Sequence, residues 1–146
     1  MKTFYIGFKG KNNTSYQLIA SLNRPCLFLT NSFPGIAREI GAQEMNFDSV
    51  IMIGVDKTLK NRIRFEGCAQ WDGEMLASLY DMELLTHKCA SMGIAYTISH
   101  EPTKYLCNAA YWHMLKKFPN TVFIHIPSTR GMTRSFMQLL TELLTE

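Results

Sequence analysis

Three residues far apart in the chain could do chemistry together: a cysteine, a histidine and a carboxylate. Cys107 falls in the first turns of a helix that Pro102 can begin, since proline's missing N–H would be unpaired there anyway. His125 lies near the end of the apolar run 121–126, and Glu66 follows Ile63-Arg64-Phe65. A thiol near a helix N-terminus is expected to be acidic, because unpaired amides and aligned peptide dipoles favour the thiolate. An imidazole at His125 can take or share the thiol proton, and Glu66 can orient that imidazole and support its charged form. The amides around Cys107 can hold an oxyanion. Together these are the parts of acyl transfer. The plainer reading of the same residues, a core cysteine and a hydrogen-bonded strand histidine, stands beside it.

In alternating strand–helix folds, reactive residues collect beyond the C-terminal ends of the strands. The elements fit such a fold. Residues 3–8 are aromatic and β-branched and predict a first strand. Residues 10–13 form a polar turn, and Thr14 or Ser15 is placed to cap a short helix through about Leu22. Residues 25–30 predict a second strand and 35–42 a helix. Residues 48–55 are nearly all apolar, the pattern of a strand covered on both faces. Residues 62–67 alternate. Residues 73–91 read as the longest helix, with Met75, Leu76, Leu79, Tyr80, Met82 and Leu85 on one stripe and Gly93 as its stop. A strand over 94–99, a helix from Pro102 to about Lys117, a strand over 121–126 and a closing helix over 131–145 complete the order. The prediction is one α/β domain over residues 1–146, a three-layer αβα arrangement around a mostly parallel sheet.

Composition narrows the function. The 146 residues carry a net charge of +3, with 47% apolar and 18% charged residues. That supports a real core and excludes a disordered chain. The charge is too mild and too scattered for a nucleic-acid binder. Lys57, Lys60, Arg62 and Arg64 cluster beside Asp56, but no stacking-aromatic pattern flanks them, so they read as a solvated loop face. No apolar stretch approaches a membrane span, and the first residues enter a strand without a signal-peptide core, so the expected location is the cytoplasm. The four cysteines, Cys26, Cys68, Cys89 and Cys107, form no Cys-x-x-Cys pair. Neither a zinc site nor a disulfide framework is expected, most of them reading as buried thiols. There is no Gly-rich nucleotide fingerprint, and no cofactor or metal is expected.

The words around the three residues carry a resemblance. Tyr105-Leu106-Cys107-Asn108, Phe123-Ile124-His125-Ile126-Pro127 and Ile63-Arg64-Phe65-Glu66-Gly67-Cys68-Ala69 resemble, in order, the nucleophile, histidine and acid words of the pyroglutamyl peptidase I (pyrrolidone-carboxylate peptidase) family. Gly7-Phe8 and Asn13-Thr14-Ser15 resemble that family's N-terminal Gly-Phe and Asn-Pro-Ser. The resemblance implies a cytoplasmic cysteine peptidase, often oligomeric, with Cys107, His125 and Glu66 as its triad. The substrate would be a small peptide or acyl amide, with no nucleic acid and no membrane as partner. It implies Phe8 against the acyl group, helped by Phe33 from its position, with Lys60 and Asn13 as further substrate-binding residues.

The chain departs from the family pattern. It is shorter, with material missing mainly after the second strand, after Ala69 and between Cys107 and His125. The family's Gly-Phe-x-Pro-Phe loop reads Gly7-Phe8-Lys9-Gly10-Lys11, so one aromatic wall is absent. Lys60 stands where the family has arginine, keeping charge but not the guanidinium fork. Pro102-Thr103 replaces Ala-Gly, altering the backbone approach. The resemblance therefore implies an amidase of altered specificity. The alternative is a non-catalytic homologue acting by self-association or protein binding through an apolar face of helix 73–91 or 131–145.

Overall fold

The computed structural model describes residues 2–44 and 46–145. The β-branched and aromatic runs form a six-stranded sheet in the order β2-β1-β3-β8-β4-β7. The strands are β1 (Thr3–Phe8), β2 (Cys26–Leu29), β3 (Ser49–Val55), β4 (Arg62–Glu66), β7 (Ala95–Ser99) and β8 (Thr121–Ile126). All neighbours are parallel except β4 and β8, which are antiparallel. The helices are α1 (Thr14–Leu22), α2 (Phe33–Gly41), α3 (Glu83–Met92), α4 (Tyr105–Lys117) and α5 (Arg134–Leu144). The expected single α/β domain with helices on both faces of a mostly parallel sheet is the observed fold.

Alternation along the strands divides the core. Tyr5, Ile51, Ile53, Ile63, Phe65 and Ile124 face a cluster built with α1, α3 and α5. Phe4, Ile6, Phe8, Met52 and Phe123 face the opposite cluster, built with α2 and α4. Successive side chains on a strand point to opposite faces. Gly54, His125, Arg64 and Glu66 therefore all belong to the α4 face, each two residues from, or out of step with, one of those positions. Each fully buried Leu, Ile or Phe in these clusters contributes about 1.5–3 kcal/mol. The apolar side of α5, with Phe136, Leu140, Leu143 and Leu144, is buried in the first cluster and is no free surface.

The longest predicted helix is a correction. Residues 73–82 are not helical. Cys68–Trp71 (β5) and Glu74–Ala77 (β6) form a separate antiparallel hairpin, and the helix begins only at Glu83. The cause is Asp72-Gly73, which adopts φ of 51° and 76°. Two consecutive positive φ values make the turn whose twist matches a two-residue hairpin, and Asp-Gly is among its preferred sequences. Gly93 does end α3, at φ 72°, as its place in the sequence implied. Helix α4 starts at Tyr105, three residues after Pro102. The cap of α1 is Asn13, whose side chain accepts from the amides of Ser15 and Tyr16, rather than Thr14 or Ser15. Cys68 and Cys89 are buried, but Cys26 is exposed. Among the described residues no helix is long and apolar enough to cross a membrane.

Candidate active site

His125 sits on the central strand β8 between two neighbours that define its surroundings. On one side it pairs with Gly54 of β3, and on the other with Arg64 of β4. All three belong to the face covered by α4. Cys107 is the third residue of α4. A Cβ built on Gly54 would stand 2.9 Å from Cys107 Sγ and 2.6 Å from the Phe123 ring. The missing side chain of Gly54 thus gives the thiol its place, immediately beside the ladder position of His125. A cleft of about 680 Å³ opens here, lined by Cys107, His125, Arg64 and Asp56, with Lys57 and Lys104 contributing to its walls.

Glu66 and His125 are both buried and share a hydrogen bond, Nδ1 to Oε2, of 2.7 Å. The same Oε2 accepts from Arg64 Nε at 2.6 Å. Arg64 Nη2 in turn donates to Asp56 Oδ2 at 2.8 Å. Glu66 Oε1 is buried and has no hydrogen-bond partner among the described residues. The backbone of Glu66 is also fixed, since Tyr111 of α4 donates its hydroxyl to the Glu66 carbonyl at 2.7 Å. No hydrogen bond joins Cys107 Sγ to the imidazole.

The electrostatics reverse one expectation. Burial pushes the Cys107 thiol up to about 12, and the negative charges of Glu66 and Asp56 add to that. Desolvation disfavours the thiolate more than the start of α4 favours it. Asp56 behaves in the opposite way. Burial alone would raise its carboxyl, but hydrogen bonds from Thr58 and from the Arg64 guanidinium prevail and hold it at about 2. Burial would lower the Arg64 pKa, yet its bonds to Asp56 and Glu66 raise it above the ordinary arginine value.

The start of α4 carries strain. Tyr105 takes φ 66° and is 79% exposed, a left-handed conformation that costs a non-glycine residue roughly 1–2 kcal/mol. Such strain concentrates at functional sites. Lys104 occupies the N-cap without a side-chain cap bond, so the first amides of α4 have no side-chain acceptor from that residue. Asn108, one residue after Cys107, clamps the hairpin. Gln70 N donates to its Oδ1 at 3.0 Å, and its Nδ2 donates to Gln70 O at 2.5 Å.

Of the residues singled out in the sequence, Cys107 and His125 line the cleft, and Glu66 lies directly beneath His125. The four substrate-binding candidates do not line it. Phe8 is buried in the core near Phe123, ring centroids 6.5 Å apart. Phe33 stacks on Trp71 at 5.2 Å. Asn13 is engaged as the cap of α1 and borders a neighbouring groove. Lys60 is exposed in the loop between β3 and β4. Arg64, read from sequence as part of a solvated loop face, is instead a half-buried member of the site, and Asp56 and Gly54 join it. The signal for Arg64 was its spacing. Two residues before Glu66 on a strand is the same face.

No family model matches the sequence, and no curated protein matches it. Solved structures do match in fold. Pyroglutamyl peptidase I of Bacillus amyloliquefaciens superposes with a TM-score of 0.80 at 16% identity, over 99% of this chain and 93% of that one. The pyrrolidone carboxyl peptidase of Thermococcus litoralis gives 0.75 at 18%, over 98% and 93%. That of Thermus thermophilus gives 0.75 at 14%, over 98% and 97%. At these identities the likeness is one of fold, and it runs nearly end to end in both chains.

Proposed function

We propose that this chain, a divergent bearer of the pyrrolidone carboxyl peptidase fold, is a cysteine hydrolase that cleaves an amide bond next to a small cyclic or acyl group. The observation that carries the reading is the buried His125–Glu66 hydrogen bond of 2.7 Å beneath the cleft that Cys107 lines. Cys107 is the nucleophile, His125 the general acid–base and Glu66 the residue that orients the imidazole.

The resting thiol is protonated, so attack requires proton transfer to His125 as the S–C bond forms. Cys107 Sγ adds to the acyl carbonyl, and the first amides of α4 receive the developing oxyanion. His125 then gives its proton to the leaving amine as the C–N bond breaks, yielding a thioester and a free amine. Water, losing a proton to His125, attacks the thioester. Its collapse releases the carboxylic acid and returns the proton to Cys107. The substrate class is a small peptide or acyl amide.

One observation favours a second reading, a non-catalytic homologue working through self-association or protein binding. It is the thiol itself, which burial holds at about 12. Leu79 and Leu84, 74% and 61% exposed, offer such a homologue an apolar surface. The deciding experiment is alkylation of Cys107 by iodoacetamide against pH, followed by intact mass in a Cys26→Ser background because Cys26 is exposed, with and without His125→Ala. Single-site modification at neutral pH that slows when His125 is lost supports the hydrolase, and turnover of a fluorogenic pyroglutamyl amide would follow. Alkylation at the rate of an unassisted thiol, unchanged by the histidine substitution, would sink it.

A further inference from the structure

Two contacts of His125 Nδ1 exclude one another. Nδ1 lies 2.7 Å from Glu66 Oε2 and 3.5 Å from Arg64 Nη2. An ionised carboxylate only accepts and a guanidinium only donates. Nδ1 must therefore carry a proton to satisfy Glu66, and must lack one to accept from Arg64. Which contact is made fixes the tautomer of the neutral ring, and so whether the proton-accepting lone pair is on Nε2 or Nδ1.

Arg64 bears on that choice twice. Its Nε donates to the same Oε2 that faces Nδ1, at 2.6 Å, and supplies a full positive charge to a carboxylate that is 1% exposed. Among the described residues Oε1 has no hydrogen-bond partner, and both polar contacts of the carboxylate are made at Oε2. Without Arg64 the buried carboxylate would lack a compensating cation, and that uncompensated charge is relieved when the carboxyl donates to Nδ1 instead of accepting from it. Meanwhile Asp56 Oδ2 engages Nη2 at 2.8 Å. That bond holds the guanidinium tip on Asp56 rather than on the imidazole. Asp56 is itself anchored, accepting at Oδ1 from the amide and hydroxyl of Thr58.

We propose that the Asp56–Arg64 ion pair is a tautomer lock: it keeps the proton of neutral His125 on Nδ1, leaving the lone pair on Nε2. Arg64 and Asp56 are positioning residues that act through Glu66 and the imidazole. The catalytic consequence rests on reading Cys107 and His125 as nucleophile and base, but the tautomer does not.

The test is ¹⁵N–¹H NMR of the histidine side chains in the full chain, at a pH where His125 is neutral. Nitrogen shifts and couplings distinguish a protonated ring nitrogen from one bearing a lone pair. His125→Gln identifies the signals. In the native chain Nδ1 is expected to be the protonated nitrogen. In Arg64→Met it becomes the lone-pair nitrogen, and Arg64→Lys, which keeps the charge, restores the native pattern. Asp56→Asn keeps the acceptor for Thr58 but turns a donor toward Arg64, and it moves the population in the same direction as Arg64→Met. Should Arg64→Met fail to fold, Asp56→Asn decides by the same signals. A protonated Nδ1 unchanged in a folded Arg64→Met or Asp56→Asn overturns the lock. Alkylation of Cys107 separates this from the hydrolase reading. If the tautomer responds but alkylation is indifferent to His125, the lock stands and the hydrolase falls. If alkylation needs His125 but the tautomer ignores both variants, the reverse holds. If both readings hold, alkylation at neutral pH falls about 10²-fold in Arg64→Met.

Discussion

Gly54 and His125 stand opposite each other in the β3–β8 ladder, and the side chain that Gly54 lacks is the space that Cys107 Sγ fills. The glycine is there for contact rather than for a special backbone angle. In Gly54→Ala the new methyl would meet the Phe123 ring at 2.6 Å and Sγ at 2.9 Å. Overpacking of this kind costs about 1–3 kcal/mol, and here it falls beside the proposed nucleophile and base. Urea unfolding is expected to show the loss of stability. Alkylation of Cys107 is expected to lose much of its dependence on His125, because the sulfur has been moved. A variant as stable as the native chain, with unchanged alkylation, would mean the thiol is not seated against Gly54.

Glu66→Gln tests the carboxylate beneath His125. The substitution keeps the shape but removes the charge facing both Nδ1 and Arg64 Nε. A glutamine can turn its NH₂ toward Nδ1 and favour the wrong tautomer. If the hydrolase reading is right, kcat falls by about 10²- to 10⁴-fold while KM changes little, since Glu66 does not line the cleft. A rise in KM with kcat preserved would give Glu66 a binding role and remove it from the triad.

The parts legible in sequence were those carried by local words. That Cys107 and His125 meet at one cleft is legible because an element end and a four- or five-residue word coincide at each. The sheet and its helical layers followed from the apolar runs. What escaped depended on partners distant in the chain. Arg64 looked like its exposed neighbours Lys57, Lys60 and Arg62, because nothing local tells that Asp56, eight residues earlier, folds back onto it. Phe8 looked like a pocket wall, but a strand covered on both faces buries both sets of its side chains, and alternation does not say which end of a face stays open. The hairpin at residues 68–77 was masked because Met75, Leu76 and Leu79 fit a helical stripe as well as a strand. Asp72-Gly73 was the stronger signal.

Stability against pH is expected to form a plateau with two shoulders. Cys107 has a folded value of about 12 against an ordinary 9.0. Between those values the folded chain binds the extra proton, so its contribution is complete below pH 9 and is lost as pH rises toward 12. Asp56 is held at about 2 against an ordinary 3.8. Its contribution is complete above 3.8 and is lost as pH falls through 2. Denaturation midpoints measured across pH should therefore fall on both sides. Cys107→Ser should make the alkaline limb shallower by up to about 1.4 kcal/mol per pH unit, one proton's worth. Cys89, raised to about 11, leaves a residual slope. An alkaline limb identical in Cys107→Ser would show that the thiol at the cleft wall is not desolvated.

Asn108 ties the site to the hairpin, and the tie can be cut separately. It is buried, and its amide makes two bonds to Gln70, accepting from the N–H and donating to the carbonyl. In Asn108→Leu the volume is nearly kept, but the two backbone groups of Gln70 lose their partners. Gln70 is exposed, so water reaches these groups and the expected loss is that of two ordinary hydrogen bonds, about 1–3 kcal/mol in all. Hydrogen exchange should locate the damage in β5 and β6 ahead of β8, because the hairpin's remaining bonds are mostly its own. The His125–Glu66 bond lies on β8 and β4 and is not supported by Gln70, so the His125 signals should be unaltered. Faster exchange at β8 together with β5 would instead make the hairpin part of the unit that holds the imidazole in place.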